Sequence, residues 1–480
     1  MKLSANSWAC LLLFGLATCL SSGCGGDQED GAFLDEAILS EKGVGQPASV
    51  VLLLIDTLRV DHTNLAGYER STTPFLEEIA GESIVFDRAY ANASWTRASM
   101  ATLFSSRLPE SHGCENRDGT LSASVTTFTE LLQGEGYETV GVVSNGNVVA
   151  SLGFDQGFDT YTFIKDFPEN LYADATVMKE PAVEAIEALG EGDAFLYLHY
   201  VDPHDPYRTR EEFEYAPGND SLFDGSRKAL RFFRGKRPPP RELEKAVALY
   251  DGEIAWLDEQ LREVFQVLEE QGVLDRAWVI VTSDHGEGLW QHRVHGHGQE
   301  VFEEQLRVPL LFRPPGGLRE SVRIPEAFPL IDVAPTLMDL LGVAVPADFE
   351  GTSWTPYLMG KSAVPKRTII VDEEMDAFNL GAIIDGEDKL IVDFNKQRAW
   401  LYDLEENPGE LSEDAVEMGT RPSSTGRRLQ EHLMRELKKA RQRRPAAGAD
   451  ADTLLDEETK AHLEGLGYGG EVESDEGDHR

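Results

Sequence analysis

Cysteine is scarce. There are four in 480 residues, and Cys10, Cys19 and Cys24 all fall within the first 24. Only Cys114 lies deeper in the chain, so the expected fold has no intrachain disulfide framework. Basic residues are few as well: 44 Lys and Arg face 85 Asp and Glu, for a formal charge of −41. A phosphate backbone requires a basic face, so nucleic acid is excluded as a partner. An anionic small substrate would need a local positive device, such as a metal, against so negative a field. The longest N-terminal apolar stretch, Trp8 to Leu20, is shorter than the about 20 residues that span a bilayer as a helix. No repeat of fixed period is present.

Length and composition remain ample for a large core. Hydrophobic residues make up 41% of the chain. Domains of roughly 100–200 residues then predict one large unit with a smaller appendage. Lys2, the apolar stretch and Ser21-Ser22-Gly23 read as a secretory signal over 1–23. Cys24 follows small residues as in the lipobox of bacterial lipoproteins and is the expected lipidation site, with Cys19 the alternative. Residues 24–47, rich in Gly, Asp and Glu, read as a flexible tether. The expected location is the bacterial periplasm or cell surface, with the membrane reached through the lipid.

From residue 48 strands and helices alternate. Val50 to Ile55, Thr139 to Val143, Ala194 to Tyr200, Ala277 to Thr282 and Val308 to Phe312 are short apolar runs of the kind that form buried strands. Thr73-Pro74 opens a helix through Ala80, Thr127 to Gly134 is a second, and about Glu242 to Glu270 a long third. This alternation predicts an α/β domain over 48–365 with a mostly parallel central sheet flanked by helices. Beyond it, Thr368 to Val371, Lys389 to Asp393 and Ala399 to Leu401 read as short strands of an antiparallel subdomain with a charged helical tail, 366–480. The basic segment 421–444 has Leu429, Leu433 and Leu437 at helical spacing, which predicts packing by that stripe. Gly134, Gly136 and Gly141 precede a strand instead of following one, so helix termination explains them better than a dinucleotide loop.

In open α/β sheets, sites form at the carboxyl ends of strands. Asp56 ends the first strand. His199, Asp202, His204 and Asp205 lie at the end of a second, and Ser283, Asp284, His285, Gly286 and Glu287 follow a third. Ser94 to Ser99 lead into a helix, which places Thr96 at a positive helix end. Each taken singly has a structural explanation, as a cap or a turn pair. Together, two carboxylates, an imidazole and a hydroxyl form a plausible divalent-metal shell beside an activatable nucleophile.

Those residues resemble the sulfatase family of the alkaline phosphatase superfamily. The resembling segments are LLLIDTLRVDH (52–62), TTPFLEEIA (72–80), SWTRASMATLFSSRLPESHG (94–113) and FTELLQGEGYETVGVVSN (128–145). FLYLHYVDPHDPY (195–207), VIVTSDHGEGLWQH (279–292), GHGQEVFEEQLRVPLLF (296–312), IDVAPTLMDLLGVAVP (331–346) and AWLYDLEENPGE (399–410) continue it. The resemblance implies an alkaline-phosphatase-like fold and hydrolysis of sulfate or phosphate esters. It places a metal on Asp56, Asp284 and His285 and the nucleophile at Thr96. His199 and His204 fall at substrate-facing positions. His297, or His295 in the other register, falls where an anion-contacting Lys is usual. Arg59 and Arg97 are candidate substrate-binding guanidiniums.

This chain departs from the pattern at four positions. Thr57 stands where a second Asp is common, and His285 where Asn is common. Thr96 occupies the position of the Cys or Ser that becomes formylglycine, with Met100 at the position of its Arg. Threonine cannot yield that aldehyde, so the resemblance points to the branches with a Thr nucleophile, which act on phosphoryl groups. The expected cofactor is one divalent ion, calcium or manganese first and zinc or magnesium next. The expected substrate is an anionic ester of a glycan, a lipid or a small molecule. A head-group phosphotransferase and a catalytically silent glycan-binding module are the two other readings.

Overall fold

The computed structural model describes residues 44–46, 48–165, 173–215, 221–233, 235–375, 377–411, 416–417, 423–446, 454–466 and 468. All belong to one compact unit, Ala32–Arg480. Cys24 and the predicted signal and tether up to residue 43 lie outside the described residues.

Apolar runs become the centre of a nine-stranded sheet among the described residues. Its main path runs Val322–Pro329, Ile84–Tyr90, Leu310–Arg313, Ala277–Ser283, Ser49–Ile55, Ala194–Tyr200, Glu138–Val143 and Thr160–Phe163. Ser49–Ile55 is parallel to both neighbours, with Ile55 opposite Tyr200 on one side and Ser283 on the other. These three strands therefore end at one level, where their polar successors meet. The strand alternates between two cores: Val50, Leu52 and Leu54 face one, and Val51, Leu53 and Ile55 the other. Burial on both faces explains why the run carries no polar position.

The long helix, Pro240–Glu270, buries Ile254, Leu257, Leu261, Val264 and Leu268 against the second core. The run Val308 to Phe312, expected as one strand, is two. Arg307–Val308 pairs with Ile84–Tyr90, and Leu310–Arg313 enters the sheet antiparallel to both neighbours. Pro309, with no N–H to donate, stands at the break. Ile84–Tyr90, Thr160–Phe163, Val322–Pro329 and the helix Ala175–Ala188 were not evident from periodicity.

Ile369–Met375, Phe378–Asp385, Asp388–Asp393, Arg398–Asp403 and Val416–Glu417 form a second, antiparallel sheet in that order. The basic helix Ser424–Arg443 lies on it by its leucines. Leu429, Leu433 and Leu437 pack with Ile370, Ile383, Leu390 and Val392. Leu433 is fully buried. Its replacement by alanine should cost about 3 kcal/mol through lost transfer energy and a cavity, read as a lower denaturant midpoint.

Candidate active site

Asp56 leaves the first strand with both oxygens out of solvent. Its Oδ2 accepts from Asn145 Nδ2, while Oδ1 has no partner. The next residue, Thr57, holds a left-handed φ of 56°, a conformation that costs of order 1 kcal/mol or more for a β-branched residue. It is fixed from two sides: Thr57 N donates to Asp284 Oδ1 at 3.2 Å, and Tyr250 OH donates to Thr57 O at 2.7 Å. The strained turn thus ties Asp56 to the loop after Ala277–Ser283.

That loop carries Asp284 and His285. Gly286 lies tight against it, because a Cβ there would stand 2.1 Å from the Glu304 carbonyl oxygen. His285 Nδ1 lies 2.8 Å from Gly286 O, which can only accept, so Nδ1 carries the proton and Nε2 offers a lone pair. Nε2 is 3.3 Å from Asp284 Oδ2 and 3.9 Å from Asp56 Oδ1. Thr96 Oγ1 donates to it at 3.2 Å.

Thr96 opens the helix Thr96–Ser105. Ser99 Oγ donates to Asp284 O at 2.6 Å and joins that helix to the loop. Glu373, from the antiparallel sheet, holds the turn before Thr96: its Oε2 accepts from Ser94 N at 2.7 Å and Ser94 Oγ at 2.9 Å.

Glu373 is fully buried, and burial pushes its carboxyl from 4.5 up to about 7. A raised carboxyl binds a proton in the folded chain that the unfolded chain has released. Stability on this account is whole below 4.5, falls between 4.5 and about 7, and stays reduced above. Glu373→Gln should therefore gain melting temperature over the parent at pH 8 and lose that gain at pH 4, as paired melts will show.

His199 completes the cluster. Its Nδ1 bonds Tyr197 OH at 2.7 Å, and its unpartnered Nε2 lies 3.8 Å from Asp56 Oδ2. Burial pushes its pKa down to about 4, so the imidazole is neutral. Single donor atoms of Asp56, His199 and Asp284 lie within 4.8 Å of one another. Burial, and then the charge of Asp284, hold Asp56 well above the usual carboxylate range. Buried facing carboxylates with orphaned Asp56 Oδ1 and Asp284 Oδ2, plus a free imidazole lone pair, match the donor set of a divalent cation.

The other predicted residues divide. His204 donates from Nδ1 to Asp205 O at 2.7 Å and leaves Nε2 unpartnered. His297 packs 4.9 Å from the His204 ring and 4.4 Å from that of His285. It meets Glu287 Oε1 through Nδ1 at 3.1 Å. His295 bonds Tyr207 OH at 3.0 Å instead. The guanidiniums are engaged elsewhere. Arg59 donates to Asp61 and to Glu287 O, and Arg97 to the backbone of Arg117 and Gly119 and to Asn147.

Asn145, Glu373 and Tyr468 were missed, and Glu287 was placed at a strand end without a role. Asn145 was findable, since it follows the strand Glu138–Val143 as Asp56 follows its own. Cys114 is buried and free, as expected from its isolation.

Comparison with known proteins gives a family and a fold. The family model described as Sulfatase matches residues 48–343, and that described as N-sulphoglucosamine sulphohydrolase, C-terminal, matches 292–443. An arylsulfatase of Clostridium perfringens is 22% identical over 435 residues, covering 76% of this chain and 89% of the relative. An N-acetylglucosamine-6-O-sulfatase of Bacteroides thetaiotaomicron is 23% identical over 412 residues, covering 66% and 72%. A solved phosphonate monoester hydrolase of Agrobacterium radiobacter shares the fold at a TM-score of 0.67 and 19% identity, covering 82% of this chain and 96% of its own.

Proposed function

The chain belongs to the sulfatase family, and from that premise we propose that it is a metal-dependent ester hydrolase with Thr96 as its nucleophile. One observation carries the reading: the Thr96 hydroxyl stands 3.2 Å from His285 Nε2, at the edge of a buried carboxylate pair with orphaned oxygens. Asp56 and Asp284 would hold the cation, with His199 as the imidazole donor and His285 Nε2 facing the Thr96 hydroxyl. When bound, such a cation lowers the pKa of a neighbouring hydroxyl and offsets charge on the ester's oxygens.

The chain's own residues do the rest. Thr96 Oγ gives its proton to His285 Nε2 and attacks sulfur or phosphorus in line, forming one bond as the bond to the departing alkoxide breaks. His204, whose Nε2 faces the site unpartnered, gives the departing oxygen a proton when in its imidazolium form. Water then cleaves the Thr96 ester and restores the hydroxyl. Relatives named for sulfated sugars favour a sulfated glycan as substrate. A threonine at the formylglycine position and the phosphonate hydrolase fold favour a phosphoryl ester. We read residues 1–23 as an export signal and Cys24 as the lipid-bearing anchor to a membrane at the periplasmic or outer surface.

Purified protein should be assayed on aryl sulfate, phosphate monoester, phosphate diester and phosphonate monoester, with calcium, manganese, magnesium or zinc, beside elemental analysis. Turnover of at least one ester with a stoichiometric divalent ion is expected. No turnover and no bound metal would instead leave a binding module. Radiolabelled palmitate should enter the parent and not Cys24→Ala.

A further inference from the structure

Every group assigned to the chemistry is closed off. Asp56, Thr96, His199, His204, Asp284 and His285 are each 0% exposed. A nucleophile in that condition cannot meet an ester unless something moves.

What stands over it is a helix from the C-terminal part of the chain and the tyrosine that follows it. The helix Glu457–Gly465 is capped by Asp456, whose carboxylate accepts from Thr459 N at 2.7 Å. It docks beside the loop that carries Asn145. A Cβ on Gly146 would lie 2.7 Å from His462 Cδ2 and 3.1 Å from Leu463 Cδ2, so the glycine permits the approach. Tyr468 N donates back to Leu463 O at 2.8 Å and turns the side chain inward.

Its phenol reaches His297 Nε2 at 2.5 Å and stands beside the Thr96 side chain. The ring is framed by Trp95, His204 and His297 at centroid distances of 6.3, 6.0 and 5.9 Å. The Arg117 guanidinium lies over it at 5.8 Å and donates to the Tyr468 carbonyl.

In-line displacement needs the central sulfur or phosphorus between the entering oxygen and the leaving one. A phenol set beside the entering oxygen stands in that space. We propose that Glu457–Gly465 with Tyr468 is an intramolecular cover of the active site, its phenol occupying the space that the substrate's ester group must take, and that substrate enters by displacing it. The inference rests on Thr96 being the attacking group.

The attachment suits reversible displacement. Its buried apolar anchors are Leu463 and Leu466. Lys165 pairs with Asp456 and Glu458, all more than a third exposed, and contributes little; Arg227 donates to the Glu464 carbonyl from the outside. A segment held this way opens locally without global unfolding. A cover closed nine-tenths of the time reduces apparent affinity about tenfold.

The test uses the full chain loaded with metal, as the parent, Tyr468→Phe and Leu463→Asp. Inorganic phosphate serves as the probe for binding and 4-nitrophenyl sulfate for turnover. Phosphate should raise deuterium uptake across 457–468 in the parent. It should bind about tenfold more tightly to Leu463→Asp, with Tyr468→Phe between, and KM should fall in the same order. Equal phosphate affinity in all three forms, with unchanged uptake, overturns the proposal. So does phosphate binding to none of them, because an uncovered pocket must take the anion. A Tyr468→Phe that loses kcat at constant KM overturns it too, since the phenol would then belong to the chemistry. If no form hydrolyses any ester, the hydrolase reading fails, and exchange and phosphate affinity still decide the cover.

Discussion

Thr96→Ala should lower kcat/KM by about 10⁴-fold on whichever ester the parent hydrolyses. The hydroxyl is the group placed beside both the carboxylate pair and an imidazole lone pair, so its loss removes the bond-forming atom. Folding should survive. The side chain is small, and deleting it leaves a cavity of the order of one or two methyl groups, for a cost of about 1–2 kcal/mol. Thr96→Ser retains the oxygen with one more freely rotating torsion and should keep measurable turnover. The parent, quenched during turnover, should carry sulfate or phosphate on Thr96 by peptide mass spectrometry, and Thr96→Ala should not. Alanine-variant activity within tenfold of the parent would remove Thr96 from the mechanism.

The residues at strand ends were legible because the sheet is buried on both faces. Ser49–Ile55, Ala194–Tyr200 and Ala277–Ser283 are buried throughout and carry no Asp, Glu, Lys or Arg, so the first charged residue after each marks the sheet's edge. Asp56 and Asp284 were found this way and His199 at the end of its own strand, and the structure brings the three together. Ile84–Tyr90 was not legible, because Asp87 and Arg88 interrupt its apolar pattern where the strand is half-buried. Val322–Pro329 carries prolines and a register shift, which belong to a sheet margin and mask the strand period.

Glu373 and Tyr468 were invisible for a different reason. Each reaches the site from an element more than 250 residues away in sequence from Thr96, and their roles exist only through tertiary packing. The guanidiniums of Arg59 and Arg97 show the reverse. The match of their forks to sulfate and phosphate oxygens made them candidates, and in the structure backbone carbonyls and Asp61 take their donors.

Asp56→Asn and Asp284→Asn should each abolish stoichiometric metal binding, and the metal-free protein should become more stable at the same time. Without a cation the two carboxylates are fully buried and repel, and two of their oxygens have no donor. An amide keeps the shape and removes one charge, which relieves that repulsion. It also gives up a hard anionic ligand, and a divalent ion then has one carboxylate instead of two. Thermal melts of the parent should rise on adding calcium or manganese by the binding term, and fall when a chelator removes it. For Asp56→Asn the melt should be higher than the parent's in chelator and unmoved by the ion. The opposite signs separate this from ordinary damage, which lowers the melt in both conditions. A parent whose melt ignores all four divalent ions, with no metal by elemental analysis, would reduce the cluster to a buried carboxyl–imidazole network. Asp284→Asn carries a further cost, because its Oδ1 accepts from both Thr57 N and His285 N. The amide must keep its oxygen on those two donors, which turns the NH₂ toward Asp56 and blocks the cation's place. Its loss of metal should therefore be at least as complete as that of Asp56→Asn, with a smaller gain in apo stability.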